Sequence, residues 1–422
     1  MKYRLSRLRG QKLLVARPRE NTFGHQVLEL LMGLHMAASQ QAALLIVRPR
    51  RAANAALFDV TCREVLIVRG VRRRAALAAG AVRHVASALG PDGAAVRWLA
   101  RRHFDLLSYA AERFPRLRPA RKRAKARLAH VSPDAAAPTY FGLDFRDRYA
   151  RHPFTLALPP PVVAAADRAA ERLGIGSGAR IAILHVRESG FKQAHGGEGA
   201  ADAIRNADIE SYEPAIDWLV SRGFCVVRIG DRWMRPIARR GVIDLATAAA
   251  RTDALELRLC FRSALFIGCD SGPHCVALLT NTPCLTVNVT NVLGGYPVRA
   301  VDRYLLKHVH DRTVGRQLAL GELLTQEYFD QRKDLERYTF ADNTPAELVE
   351  AVVEMVDDVL DARAEPSAGQ RLFHDLADRL YNSPAVGERR TRKGEPRQQL
   401  LGEGFIGRRF AERYLHAVEL AC

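Results

Sequence analysis

Short continuous apolar runs alternate with stretches of helical period along most of this chain. KLLVARP (12–18), AALLIVRP (42–49) and EVLIVRG (64–70) read as buried strands. Between the first two, ENTFGHQ is a loop carrying Gly24, and VLELLMGLHMAASQ has helical spacing. Unbroken apolar strands joined by helices predict a parallel sheet covered on both faces. The stretch from about 115 to 160 breaks the alternation: a basic run, then Pro and Ala, then the aromatic YFGLDFRDRYARHPF, which reads as loop between domains.

From about 161 the alternation restarts. A helix (161–173) leads to ARIAILHVRESG, the first strand of a second unit. SYEPAIDWLVSRG is a helix with Pro214 in its first turn and Gly223 at its stop. FCVVRIGD, GVIDLA, ALFIGCD and PCLTVNVTN supply four more strands; DALELRLCFRS and PHCVALLTN supply helices. Residues 344–364 form a helix capped by Thr344, with Pro345 in the first turn and Glu347 closing a capping box. NSPAVGERRTRKGEPRQQ reads as a flexible loop near 382–400, and GEGFIGRRFAERYLHAVEL as a short amphipathic helix. The predicted class is α/β: two doubly wound, Rossmann-like domains over 1–160 and 161–345 facing across a cleft, then C-terminal helices over 346–422.

The 422 residues suffice for two domains, and their charge is lopsided. Residues 1–130 hold 27 Lys and Arg against 7 Asp and Glu, whereas the whole chain carries +18. The densest stretches are Arg72 to Arg74 and Arg116 to Arg127. An anionic partner such as a phospholipid surface, a nucleic acid or an acidic glycan would account for this excess. So would the Ala- and Arg-rich usage of a GC-rich coding sequence, with the arginines simply solvated. The seven cysteines form no C-x2-C pair, so zinc is not expected and a reducing compartment is. The opening MKYRLSRLRGQK lacks the apolar segment of a secretory signal. The expected location is cytoplasmic, with peripheral attachment at an inner membrane as its extension.

Four stretches carry candidate chemistry. In CDSGPHCVALL a strand turns into a helix, whose first N–H groups and positive dipole end favour an anion. Ser271 and Gly272 let backbone approach a phosphate, the Ser271 hydroxyl can donate, and His274 can reach the same anion. The bland alternative is an N-cap by Asp270 or Ser271 with His274 facing the core. In ILHVRESGFK, His185 and Arg187 point to one side of a strand end, and Lys192 adds a second cation. Arg187 suits bidentate phosphate recognition, or else a buried ion pair, for example with Asp270. In VVRIGD, Arg228, Gly230 and Asp231 fit base or sugar contacts, or a plain turn. In NTFGHQ, His25 after Gly24 is a candidate general base, or an exposed histidine on a structural turn. Asn206, Asp208 and Tyr212 of RNADIESY bind donor or acceptor, or cap the helix that follows.

At these residues the chain resembles bacterial glycosyltransferases of GT-B fold. Asp270, Ser271, Gly272 and His274 are similar to the nucleotide-sugar turn of heptosyltransferase-like enzymes, although His274 follows Gly272 by two positions where those enzymes have three. HVRESG (185–190) resembles the H-x-R motif of fucosyltransferase-like enzymes, in which the arginine meets the donor's β-phosphate. TFGHQ is similar to their first glycine loop. The pattern over roughly 10–365 looks like a bacterial family linked to surface polysaccharides.

The resemblance implies a nucleoside-diphosphate-sugar donor held by residues 180–295, with Arg187, Lys192 and the Ser271–Gly272 backbone neutralising the leaving diphosphate. It implies a glycan or lipid-linked acceptor and no cofactor. No Asp-x-Asp motif occurs, and metal independence is expected. Two other classes stay open: a nucleotide-sugar epimerase of the same architecture, which needs no acceptor surface, and a nucleic-acid-binding protein using the basic first third. Against the latter, aromatics are sparse among the arginines and no RNA motif appears, so nucleic acid is not the expected partner.

Overall fold

The computed structural model describes residues 12–16, 22–46, 52–68 and 145–415, apart from 152, 195–196, 363 and 392–397, with isolated positions between. The basic stretches at 72–74 and 116–127 lie outside the described residues except for isolated positions.

The N-terminal strands β1 (Lys12–Ala16), β2 (Ala42–Ile46) and β4 (Ile67–Val68) form a parallel sheet in the order β1-β2-β4. Helix α1 (Phe23–Ser39) joins the first two. It begins four residues earlier than its apolar period indicated, so Gly24 sits in its first turn and not in a loop. Of the third expected strand, 64–70, Ile67–Val68 pairs in this sheet, 64–66 stand outside it, and 69–70 lie outside the described residues. The segment read as loop contains α2 (Phe145–Arg151) and β5 (Leu156–Ala157), which pairs with β3 (Thr61–Cys62). Tyr149 and Phe154 anchor it, buried with their rings edge to face.

The larger sheet has seven parallel strands in the order β15-β11-β10-β9-β6-β7-β8. They are β6 (Arg180–Leu184), β7 (Phe224–Arg228), β8 (Val242–Asp244), β9 (Ser263–Cys269), β10 (Cys284–Val289), β11 (Arg303–Leu306) and β15 (Phe405–Ile406). The first five match the expected strands. The last two were not anticipated, and β15 brings the far C-terminal segment into the sheet edge. A small antiparallel sheet of β12 (His308–Asp311), β13 (Arg316–Gln317) and β14 (Tyr338–Ala341) follows β11.

Helices α3 (Pro160–Arg172), α4 (Gly190–Ala194), α5 (Ala200–Ala203), α6 (Glu213–Ser221), α7 (Asp253–Arg262) and α8 (Cys275–Thr280) connect the strands. After α9 (Gln326–Gln331), α10 (Pro345–Val353) opens with the expected box: Thr344 Oγ1 accepts from Glu347 N, and the Glu347 carboxylate accepts from Thr344 N. The helix α10 widens into a π-helical stretch over Glu354–Asp361. Then come α11 (Ala368–Tyr381), α12 (Pro384–Thr391) and α13 (Arg408–Tyr414). The stretch expected as a flexible loop therefore contains a helix, seated by buried Val386 and Arg390.

Each face of the large sheet is covered by its own apolar cluster. One holds α6, α10 and α11. The other joins α1, the 3-10 turn Ala55–Asp59, α7 and α8 into one continuous core with Ile181, Ile183 and Val227. The described N-terminal residues are thus packed onto the second sheet. Among the described residues no helix is long and apolar enough to cross a membrane.

Candidate functional site

From β6 the chain moves outward through β7 and β8, then returns to the other side of β6 as β9 and runs outward again. The connections leaving β6 and β9 therefore pass to opposite faces: α6 belongs to one apolar cluster and α8 to the other. In a parallel sheet this switch point opens a crevice at the carboxyl ends of the two strands, where ligands bind. His185 to Lys192 leave β6 there, and Asp270 to His274 leave β9.

His185 links the two loops. Its Nδ1 lies 3.1 Å from the Ile229 carbonyl and its Nε2 3.1 Å from Ser271 Oγ. A carbonyl only accepts, so Nδ1 carries the proton and Nε2 accepts from the Ser271 hydroxyl. Burial, reinforced by Arg228, His274 and Arg187, pushes the His185 pKa down to about 4, which keeps it neutral. The Ser271 hydroxyl hydrogen is thereby directed inward to His185. It is not offered to an anion, contrary to the sequence expectation.

The backbone of the turn is also partly committed. Ser271 N donates to the Cys269 carbonyl at 2.6 Å, and Pro273 has no N–H. Gly272, exposed, supplies the backbone N–H that a ligand would meet at this turn. Neither Asp270 nor Ser271 caps the helix with its side chain. Asp270 accepts from Thr290 on one oxygen and pairs with Arg205 at 3.3 Å on the other. His274 donates from Nδ1 to the Ser271 carbonyl, with Nε2 3.9 Å from Cys275 Sγ. Burial opposes its charge, but Cys275, Asp270 and the Ser271 carbonyl outweigh that and raise its pKa to about 9.

Three more cations converge beside it on one carboxylate. Asp202 lies 3.0 Å from Lys192, 3.4 Å from Arg205 and 3.5 Å from Arg187. Lys192, foremost, holds the Asp202 carboxyl below its usual range. Arg187 is buried and already engaged: its Nη1 donates to the Asp202 carbonyl and Asn206 Oδ1, and its Nη2 pairs with Glu198 at 2.8 Å. Its ion-pair partners are thus Glu198 and Asp202, not Asp270. Arg205, Glu198 and Asp202 were missed in the sequence, where only the glycine-flanked glutamate of GGEGAADAIRN hinted at them.

Other candidates hold the scaffold. Asn206 links Arg187 to Glu198 through its amide, and Asp208 caps the 3-10 turn at Glu210 N and pairs with Arg235. The Tyr212 hydroxyl is buried and accepts from Asn288 Nδ2 at 2.9 Å. Arg228 is fully buried, with Glu188 at 2.7 Å, Asp244 at 3.2 Å and the Arg235 carbonyl at 2.7 Å; it does not reach the ligand edge. Asp231 accepts from Trp233 N, which makes the segment after Gly230 a turn.

Gly24, in the first turn of α1, meets the turn after β9, and His25 follows it. A Cβ on Gly24 would stand 2.3 Å from the Gly272 carbonyl oxygen, so two backbones touch with no room for a side chain. Gly24→Ala is expected to destabilise the fold by about 1–3 kcal/mol through overpacking. Denaturant unfolding checks this, and an unchanged midpoint would contradict the contact. His25 is exposed, and its Nδ1 lies 2.6 Å from Thr22 Oγ1. A base role through Nε2 requires Nδ1–H to donate to that hydroxyl.

No family model matches the chain, and no curated protein matches it. Among solved structures, a glycosyl transferase family 9 protein from Veillonella parvula DSM 2008 is similar over 66% of this chain and 80% of that one, with 13% identity and a TM-score of 0.33. A likeness at that level assigns no residue.

Proposed function

We propose that this chain is a glycosyltransferase that moves a sugar from a nucleoside-diphosphate sugar to an acceptor hydroxyl. The observation that carries this reading is the gathering of Arg187, Lys192 and Arg205 on Asp202 beside the exposed Gly272 turn, at the switch point of a parallel sheet. Three cations at a crevice are suited to a group with two adjoining negative charges. In this reading Arg187 Nη2, Lys192, the Gly272 N–H and His274 stabilise the charge that grows on the departing diphosphate, without a metal ion. His185 and Asp270 hold the two loops in register. Residues 1–160 form the acceptor side and 161–345 the donor side. His25, one residue from the Gly24–Gly272 contact, is the proposed base for the acceptor hydroxyl. The transferred group would be a hexosyl or deoxyhexosyl unit, the setting surface polysaccharide or glycoconjugate synthesis. The basic first third would rest on an anionic inner membrane that carries the acceptor.

A thermal-shift series with GDP-, UDP-, ADP- and CMP-sugars tests the reading. At least one should raise the melting temperature, since a ligand at a hundred times its Kd adds about 2.7 kcal/mol. Arg187→Ala alone would strand Glu198, so the binding control is Arg187→Ala with Glu198→Gln, which should abolish the shift while remaining folded. No stabilisation by any donor would overturn the proposal.

A further inference from the structure

We infer that Glu198 and Asp202 form a built-in carboxylate plug that occupies the cations of this crevice until a diphosphate displaces it. The inference rests on the donor reading above for the natural ligand, but on the geometry alone for the plug.

Glu198 pairs with Arg187 Nη2 at 2.8 Å, both side chains less than a tenth exposed. Asp202 holds Lys192 and Arg205 while touching the same Arg187. The two carboxylates thus bring two negative charges to three cations, the charge that the two phosphates of a nucleoside-diphosphate sugar would bring. Arg187 divides its donors accordingly. Nη1 is held by the Asp202 carbonyl and by Asn206, whereas Nη2 faces the plug. Displacing the Glu198 carboxylate would free Nη2 and release Asn206 Nδ2, while the Asp202 backbone carbonyl still holds Nη1.

The backbone around Glu198 is suited to such a movement. Gly197 adopts φ +96°, in the left-handed region, and Gly199 follows; a Cβ on either would meet open space. Their absent side chains therefore serve no packing, and the positive φ at Gly197 is a conformation few other residues hold. Hinge positions of this kind absorb the change when a loop moves off a ligand site. A structural ion pair has no need of glycines on both sides.

The test uses the full chain and two probes, inorganic pyrophosphate and the nucleotide sugars, by isothermal titration calorimetry. Glu198→Gln removes the plug's buried charge while keeping its shape, and should bind pyrophosphate about tenfold more tightly than the natural chain. Glu198→Asp keeps the charge and should stay within about twofold; if the glutamine variant melts early, Asp202→Asn, which removes the plug's other charge, takes its place and should likewise tighten binding. Equal or weaker pyrophosphate binding by Glu198→Gln, or none by either protein, would overturn the plug. Tenfold tighter pyrophosphate binding with no nucleotide sugar bound would uphold the plug and overturn the donor reading.

Discussion

Arg228→Met is expected to lower stability by about 3–5 kcal/mol, read as a fall in the denaturant midpoint at unchanged slope. Arg228 is fully buried between Glu188, which leaves β6, and Asp244, which ends β8. A methionine fills similar space but leaves Asp244, 9% exposed, and Glu188, 20% exposed, without their counter-ion. Uncompensated buried charge makes such a change costly, even where replacing a whole pair is neutral. The damage should reach the crevice, because Glu188 also accepts from Arg235 N at 2.8 Å and so ties the loop after β6 to the loop after β7. Arg228→Met with Asp244→Asn should recover part of the loss. A single variant within 1 kcal/mol of the natural chain would show that water reaches and solvates these carboxylates.

The second large effect is acid lability. The His185 pKa falls from 6.5 to about 4 on folding, so the folded state favours the neutral ring. Its stabilisation is fully present above pH 6.5 and is lost as pH falls from 6.5 through 4. A drop of this size corresponds to about 3 kcal/mol at the acid end. His274 runs the other way: raised to about 9, it contributes below pH 6.5 and loses that contribution as pH rises towards 9. The two windows do not overlap. Glu347 is held down to about 2 against its burial, by His308, Tyr414 and the Thr344 N–H, and enters only below pH 4.5. Between pH 7 and pH 4.5 His185 should lower the unfolding midpoint, offset in part by buried Glu256 and Glu354, whose carboxyls burial pushes up, and His185→Asn should flatten the loss. An equally steep acid loss in that variant would assign the slope to another group.

The inner strands β6, β7, β9 and β10 were legible because each is a mostly apolar, largely buried run; the half-buried edge strand β8 was legible from GVIDLA despite having three residues in the sheet. RYLL at 303–306 and FI at 405–406 were not, being too short for any period to register; pairing with a neighbour makes them strands. The switch point followed from strand order, which the linear sequence does not contain. His185, Arg187 and the Asp270–His274 turn were found because polar residues at the ends of buried strands stand out. What each side chain does there depends on partners far along the chain. Ser271 donates to His185, Tyr212 meets Asn288, and Arg228 faces two carboxylates rather than solvent. Alternation along a strand tells which side a residue takes, but not whether an ion network already fills that side.

The contact between Gly24 and Gly272 also limits motion. Backbone meets backbone there, so no rotamer change can let the parts approach further. The contact acts as a mechanical stop: the first turn of α1 can draw back from the turn after β9 but cannot advance on it. An entering ligand would find this gap at its minimum, and any rearrangement that accommodates it would have to widen it.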